Sequence, residues 1–540
     1  MKNMIDLYAA LDEPDFSPSN INLGQKKKVP IKKDINMKKK PINNNNLKNN
    51  FNKNIKQVHP INKNIHITKK PAIKNKNVIY NNPYDKLDDD NFIYDDVSSP
   101  IINDPLSIFS SPYQKEDNEE DEKNIIPGKE DIKSKIDINK IESIVDSLDD
   151  KNYIYKSIEE FQDILKKTSK NNNLNTEESQ AFLVYCWITK NISYYIGPKP
   201  DNTPIGALKK RITQCSGYSR LFKEALKIFG IKSVLIHGIG RTYNLSLKPH
   251  RENHEWNAIK INGKYYLCEV TWGAGKVENN KFIKGYNTFY FCCPPEIFIC
   301  THYPTKELNK WMLLDKKISQ DEFENILYKD KFFYFYNFVN ISPSEGIVKL
   351  TNKNNIQIKF ENLSGIKRLR LSCKVIHENK LIENASYIEK FENYFLVNLI
   401  LNKRGNYNVL YFVTDKTGTV NSDLIARQQF LVTADSKEMK TFPTILTFPD
   451  ELHIIEPKYN NLSKNKEILF KFSSDEIDDM GIVINKKCTH LEKSGNIFEG
   501  KFTVTGDEIL VGKFDKINLE YSSLLKLVLK IKYNKTSITE

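Results

Sequence analysis

Long apolar runs are missing from this chain. No stretch of its 540 residues reaches the ~18 consecutive apolar positions that a membrane-crossing helix requires, so a helical span is excluded. The opening segment MKNMIDLYAALDEPDF holds no apolar signal core, and a soluble, cytoplasmic protein is expected. Cysteine is sparse: eight residues, at 186, 215, 268, 292, 293, 300, 373 and 488. Each C-terminal β-rich region has only one, which excludes a disulfide framework there and points to reduced thiols. A basic stripe is also missing. The formal net charge is +13, but its lysines are scattered along the folded body, so no specific nucleic-acid partner is expected. Nothing calls for a cofactor or a metal.

What is present is strongly segregated. Residues 21–80 contain 16 Lys and one Asp in runs such as KKKVPIKKD and PINNNNLKNNFNKN, and residues 85–122 reverse the sign with 13 Asp or Glu. Too few large apolar side chains accompany these charges to offset the entropy of ordering, so residues 1–128 are expected to form a disordered tail. From residue 129 to 335 the pattern reads as an α+β domain. NYIYKSIEEFQDILKKT and NTEESQAFLVYCWITKNI are helical, the second with Thr176 as N-cap, and strand-like stretches follow. Beyond residue 336 the helical period disappears. IQIKFENL, RLRLSCKVI, YFLVNLIL, NYNVLYFVTD and RQQFLVTA make one set of β segments, and EILFKFSS, GIVINKK, IFEGKFTVTG and LLKLVLKIKY a second. Two Ig-like β-sandwich modules are expected, over 336–436 and 437–540.

Within the α+β region, TQCSGYSRLFKEALKIFG sets Cys215 directly before a helix. Tyr218, Leu221, Phe222, Ala225, Leu226 and Phe229 step by three and four, and Gly230 stands where that helix stops. The unpaired N–H groups and positive dipole end of a helix start favour a thiolate, and Gly217 permits close approach of a backbone or substrate. Downstream, HEWNAIKINGKYYLCEVTW contains two alternating stretches around Asn262-Gly263, the strongest short hairpin signal. A two-residue loop there makes Trp256 face Glu269 and His254 face Thr271. His254 and Glu269 then become diagonal neighbours on one face. A carboxylate beside an imidazole fixes its tautomer and stabilises the imidazolium, which a Cys–His pair requires of its third member.

CSGYSRLF, NHEWNAIKINGKYYLCEVTWGAG and FYFCCPPEIFICTHYPTKELNKWMLLD together resemble the transglutaminase-like superfamily, and within it the kyphoscoliosis-peptidase branch, over roughly residues 178–314. The resemblance implies a papain-like α+β core with a Cys–His–Asp triad, carried here by Cys215, His254 and position 269, where Glu replaces the usual Asp. It also implies protein substrates or cytoskeletal partners and a cytoplasmic setting associated with the cytoskeleton. Tyr218, Trp256 and Trp272 are expected to wall the substrate cleft, with a core role as their alternative. Cys292, Cys293, Cys300 and His302 lie within eleven positions, but their spacing fits no usual zinc knuckle.

Two functions remain in view. One is acyl transfer from protein amides through a thioester on Cys215, as a peptidase or a crosslinking enzyme. The other is a catalytically weak or inactive transglutaminase-like adaptor that binds cytoskeletal or cytokinesis proteins.

Overall fold

Between residues 129 and 230 the amphipathic stretches fold as helices: α1 (Ile138–Ser147), α2 (Ile158–Asn171), α3 (Glu177–Asn191), α4 (Pro204–Lys210) and α5 (Cys215–Leu226). The computed structural model describes residues 125–148, 153–198, 200–242, 251–278, 280–366, 369–415, 422–446, 452–515 and 520–528. The disordered tail expected over 1–128 therefore lies outside the described residues, apart from its last four positions. Those four are ordered. Gly128 N–H donates to Tyr265 O at 2.8 Å and Tyr265 N–H to Ile126 O at 2.8 Å, so the segment adds to a sheet edge.

Thr176 and Ser179 close a reciprocal capping box at the start of α3. From Ala181 to Thr189 every side chain of α3 is buried, which is the pattern of a helix running through a core. Between α3 and α5, β1 (Ser193–Tyr194) and β2 (Ile212–Thr213) form a short parallel pair that delivers the chain to Cys215. The face of α5 expected to be apolar is buried from Tyr218 to Leu226, and Gly230 ends the following turn with φ of +71°.

The sheet beneath α5 has the order β5–β4–β3–β8, with β3 (Ser233–Gly240), β4 (His254–Ile261), β5 (Lys264–Cys268) and β8 (His302–Pro304). The β4–β5 hairpin has the expected register, Ile261 opposite Lys264 and Asn257 opposite Cys268, around Asn262 (φ +48°) and Gly263 (φ +78°). Alternation along β4 predicts one solvated face, yet only Lys260 among its eight residues escapes burial. The polar positions point at α5 instead of water. Glu255 accepts the Ser219 hydroxyl, and Asn257 Nδ2 donates to Ser219 O at 3.0 Å and to Ser233 Oγ at 3.1 Å. These bonds satisfy groups whose burial would otherwise be costly, and they fix α5 against the strand that begins with His254.

After β5 the chain forms α6 (Val270–Ala274) and a small hairpin of β6 (Gly275–Glu278) and β7 (Lys281–Lys284). Arg241, 1% exposed at the end of β3, donates to the carbonyls of Cys300, Phe323, Glu324 and Ile326. One guanidinium thus stitches the sheet to the segment that leads into the β-rich half.

That half consists of two β-sandwiches. In the first, a four-stranded sheet over Phe338–Ser342, Asn355–Asn362, Tyr394–Ile400 and Ser386–Lys390 covers a larger sheet centred on Gly405–Asp415 and Asp423–Val432. Phe360, Val397, Val409, Tyr411 and Phe430 fill the space between them. The larger sheet also recruits Tyr328–Lys329, upstream of residue 336. The second sandwich encloses Phe470, Phe472, Met480, Phe498 and Val511. Among the described residues no helix is long and apolar enough to cross a membrane.

Candidate functional site

Cys215 is the first residue of α5 and is partly exposed. Gln214 provides no side-chain cap, so the first-turn N–H groups are not occupied by it. Thr213 supports the turn from behind. Its hydroxyl donates to Asn202 Oδ1 at 2.9 Å, and the Gln214 N–H donates to the same oxygen at 3.1 Å. A Cβ on Gly217 would lie 1.8 Å from Thr213 Oγ1. The close approach expected at Gly217 is therefore made by Thr213.

His254 opens β4, and Glu269 follows the last residue of β5. The β4–β5 ladder ends at Asn257 and Cys268, and the Glu269 N–H turns away to Tyr290 O at 3.0 Å. Glu269 then becomes the N-cap of α6, with Oε1 accepting the N–H groups of Thr271 at 2.7 Å and Trp272 at 3.1 Å. Its other oxygen, Oε2, lies 2.7 Å from His254 Nε2. The diagonal proximity inferred from register is thus present, but through a capping turn instead of an extended strand. Cys215 is near enough to the same imidazole to raise its proton affinity.

Burial is the largest influence on His254 and by itself would lower its pKa. The Glu269 charge, the proximity of Cys215 and the bond the ring donates to Glu269 outweigh it and raise the value to about 10. Burial pushes Glu269 the other way from its partners, yet the charge and hydrogen bond of His254 hold its carboxyl well below the usual range. The pair is therefore imidazolium and carboxylate at neutral pH.

Behind the pair stands His302, 1% exposed, which the sequence offers only as a zinc ligand. Its Nε2 approaches Glu269 Oε2 at 3.3 Å, off the line of a well-formed hydrogen bond, while Nδ1 lies 2.8 Å from Thr301 Oγ1. Burial depresses the His302 pKa to about 4, so its ring is neutral. The signal that would have revealed it is non-local: β8 must pair with β3 before residue 302 meets residue 269. His254, Glu269 and His302 offer ligand atoms within 4.8 Å of one another. The 2.7 Å bond within this group is shorter than the ~3.3 Å between neighbouring ligands on a tetrahedral zinc with ~2.0 Å bonds. Cys292, Cys293 and Cys300 do not join His302 in any such group among the described residues.

The aromatic residues divide. Tyr218 is fully buried and donates its hydroxyl to Ile192 O at 2.8 Å, and Trp256 is buried among His254, Phe298 and His302. Both are buried in the core, the alternative role that the sequence leaves open for them. Trp272 remains half-exposed, its ring 5.6 Å from that of His254.

Residues 165–270 match the model of the transglutaminase-like superfamily, a span that includes Cys215, His254 and Glu269 and stops short of His302. Kyphoscoliosis peptidase of Homo sapiens is 27% identical over 188 residues, 33% of this chain and 28% of that protein. Hillarin of Drosophila melanogaster is 26% identical over 196 residues, 33% of this chain and 24% of Hillarin. The Lim and transglutaminase domain protein ltd-1 of Caenorhabditis elegans is 27% identical over 195 residues, 33% of this chain and 26% of ltd-1. The chain thus spans less than a third of the length of each relative.

Proposed function

For a chain with a transglutaminase-like domain of the kyphoscoliosis-peptidase type, we propose acyl transfer from protein amides through a thioester on Cys215. The observation that carries this reading is the buried 2.7 Å His254–Glu269 bond at an imidazole whose other influence is the Cys215 thiol. Cys215, as thiolate, attacks the amide carbonyl carbon, with first-turn N–H groups of α5 facing the oxyanion. The His254 imidazolium gives its proton to the departing nitrogen, the C–N bond breaks, and an acyl thioester remains. Water or a primary amine then attacks the thioester, gives its proton to His254 and releases the Cys215 sulfur. Water yields a carboxylic acid, and an amine yields a new amide. Glu269 keeps its charge throughout and orients the ring.

Protein substrates in the cytoplasm fit the eight free cysteines of the chain. The two sandwiches are assigned to substrate or cytoskeletal docking.

A thiol-reactive peptide probe with mass-spectrometric site mapping tests the reading. Cys215 is expected to be modified first, ahead of the exposed Cys488, and His254→Ala is expected to abolish that preference. A probe that modifies Cys488 at least as fast as Cys215 would transfer the function to non-catalytic binding. Release of ammonia against incorporation of a fluorescent amine then separates hydrolysis from crosslinking.

A further inference from the structure

We infer that His302 is a positioning residue for the triad: it steadies Glu269 Oε2, the oxygen that meets His254, and thereby maintains the proton affinity of His254. The inference rests on the acyl-transfer reading and extends it to a residue outside the matched 165–270 span.

Glu269 has one methylene more than the Asp implied by the resemblance, and so one more rotatable bond to restrain. Oε1 is tied to the backbone by the N–H groups of Thr271 and Trp272. Oε2 has two polar neighbours, His254 Nε2 at 2.7 Å and His302 Nε2 at 3.3 Å. Without His302, the bond to His254 would have to hold that oxygen in place as well as orient the imidazole.

His302 is itself immobilised. Its ring stacks on Phe298 with centroids 4.2 Å apart, lies 4.5 Å from the ring of Trp272, and is edge-on to Trp256 at 5.2 Å. Thr301 Oγ1 lies 2.8 Å from Nδ1; with that hydroxyl as the donor, the ring proton stands on Nε2, the nitrogen that faces Glu269. The Thr301 hydroxyl also lies 3.3 Å from Phe298 O, a longer alternative for the same proton. A neutral ring in this tautomer presents a donor to the carboxylate without a second positive charge. Glu269 therefore keeps its full charge for His254. At 3.3 Å and off the line of a hydrogen bond, the contact is an electrostatic one, weaker than the 2.7 Å bond to His254. The groups facing His302 are His254 and Trp256 on β4, Glu269 at the N-cap of α6 and Trp272 within α6, and Tyr290, Phe298 and Thr301 on the segment before β8.

Three variants of the full chain test this. His302→Phe keeps a ring against Phe298 and removes the donor; His302→Gln restores a donor near the position of Nε2; Thr301→Val frees Nδ1. Two quantities are read: the rate of Cys215 carboxymethylation by iodoacetate, and the midpoint of His254 deprotonation by NMR of selectively labelled histidine rings. His302→Phe is expected to slow labelling at least tenfold and lower the His254 midpoint by about one unit, the shift that corresponds to tenfold. His302→Gln is expected to stay within about threefold of the parent, and Thr301→Val to fall between. A merely structural role would change the thermal midpoint without moving the His254 titration. An unchanged His254 midpoint in His302→Phe overturns the inference, as does equal impairment in the Phe and Gln variants. If His302→Phe does not fold, unchanged titrations in His302→Gln and Thr301→Val together with a parent-like rate in Thr301→Val overturn it. The outcomes stay separable from the parent reading: Cys215 that is no more reactive than Cys488 in the unaltered chain defeats acyl transfer itself. A reactive Cys215 with an indifferent His302 defeats only this inference.

Discussion

Glu269→Gln is the substitution whose consequence the geometry determines most closely. In the parent chain His254 is raised from 6.5 to about 10 although burial acts to lower it, a net preference for the imidazolium of roughly 5 kcal/mol at 1.36 kcal/mol per unit. Of the influences that raise it, the Glu269 charge is the strongest. If it supplies only half of the net rise, its removal lowers the proton affinity of His254 by about two units, or ~100-fold. The Gln amide oxygen can keep the Thr271 and Trp272 N–H groups, which turns the amide nitrogen toward His254 Nε2. That donor forces Nε2 to accept and places the ring proton on Nδ1, the tautomer opposite to the one a base for Cys215 needs. Carboxymethylation of Cys215, followed by peptide mapping at pH 7, is expected to slow ~100-fold with the fold intact. Glu269→Asp keeps the charge but cannot reach His254 and both backbone donors at once, so a ~10-fold loss is expected. A parent-like rate in Glu269→Gln would refute the coupling of this carboxylate to the Cys215–His254 pair. A rate in Glu269→Asp above the parent would instead identify Glu269 as the mark of a decayed triad.

Other consequences concern stability and the helix that carries Cys215. His302 is held at about 4 by burial against an unfolded value near 6.5, so the unfolded chain gains a proton first as pH falls. Stability is therefore lost between pH 6.5 and 4, by roughly 3 kcal/mol from this group, and the difference between parent and His302→Phe in urea midpoint against pH reads it. His254 has the opposite sign: its contribution is complete below pH 6.5 and declines as pH rises toward 10, so its removal flattens the alkaline limb. Gly217→Ala places a methyl against Thr213 Oγ1 and is expected to cost about 1–3 kcal/mol and to slow Cys215 labelling. Thr213→Ala in the same chain should recover part of both. Arg241→Met leaves four carbonyls, two of them buried and two part-buried, short of a donor and is expected to cost about 3 kcal/mol, seen as a lower thermal midpoint. An unchanged midpoint would show that those carbonyls find other donors.

Sequence signals are legible where the structure they specify is local. The three- and four-residue spacing from Tyr218 to Leu226 gives α5, and Asn262-Gly263 fixes the hairpin register by its turn alone. Strands buried between two sheets, such as Gly405–Asp415 and Asp423–Val432, announce themselves by their apolar runs. The short Ile347–Leu350 strand and the Glu508–Asp515 strand do not. The first is four residues long and half-exposed, so it carries almost no pattern, and the second is interrupted by Gly512. The polar alternation of β4 misleads for another reason: Glu255 and Asn257 look like solvent-facing residues until α5 is packed over them with Ser219 as their partner. His302 and Glu269 are 33 positions apart and meet through three successive strand pairings, which no spacing rule encodes.

The same distinction explains how Glu stands where Asp is expected. A shorter acid could extend from the end of β5 straight to His254. Glu269 instead folds back on itself, because the chain turns into α6 at that residue and offers two unpaired N–H groups at helix positions that a cap normally satisfies. Glu is not among the favoured N-caps, since its length costs more ordering than Ser, Thr or Asp. Here the extra methylene is what allows one carboxylate oxygen to cap α6 while the other lies against His254. The capping bonds thus limit the freedom that the longer side chain adds, and they couple the position of the acid to the start of a helix that also carries the half-exposed Trp272. On the acyl-transfer reading the Glu serves as an adapted acid, since its charge, its cap and its contact with His254 are satisfied together, and the Glu269→Asp labelling rate separates that reading from a decayed triad.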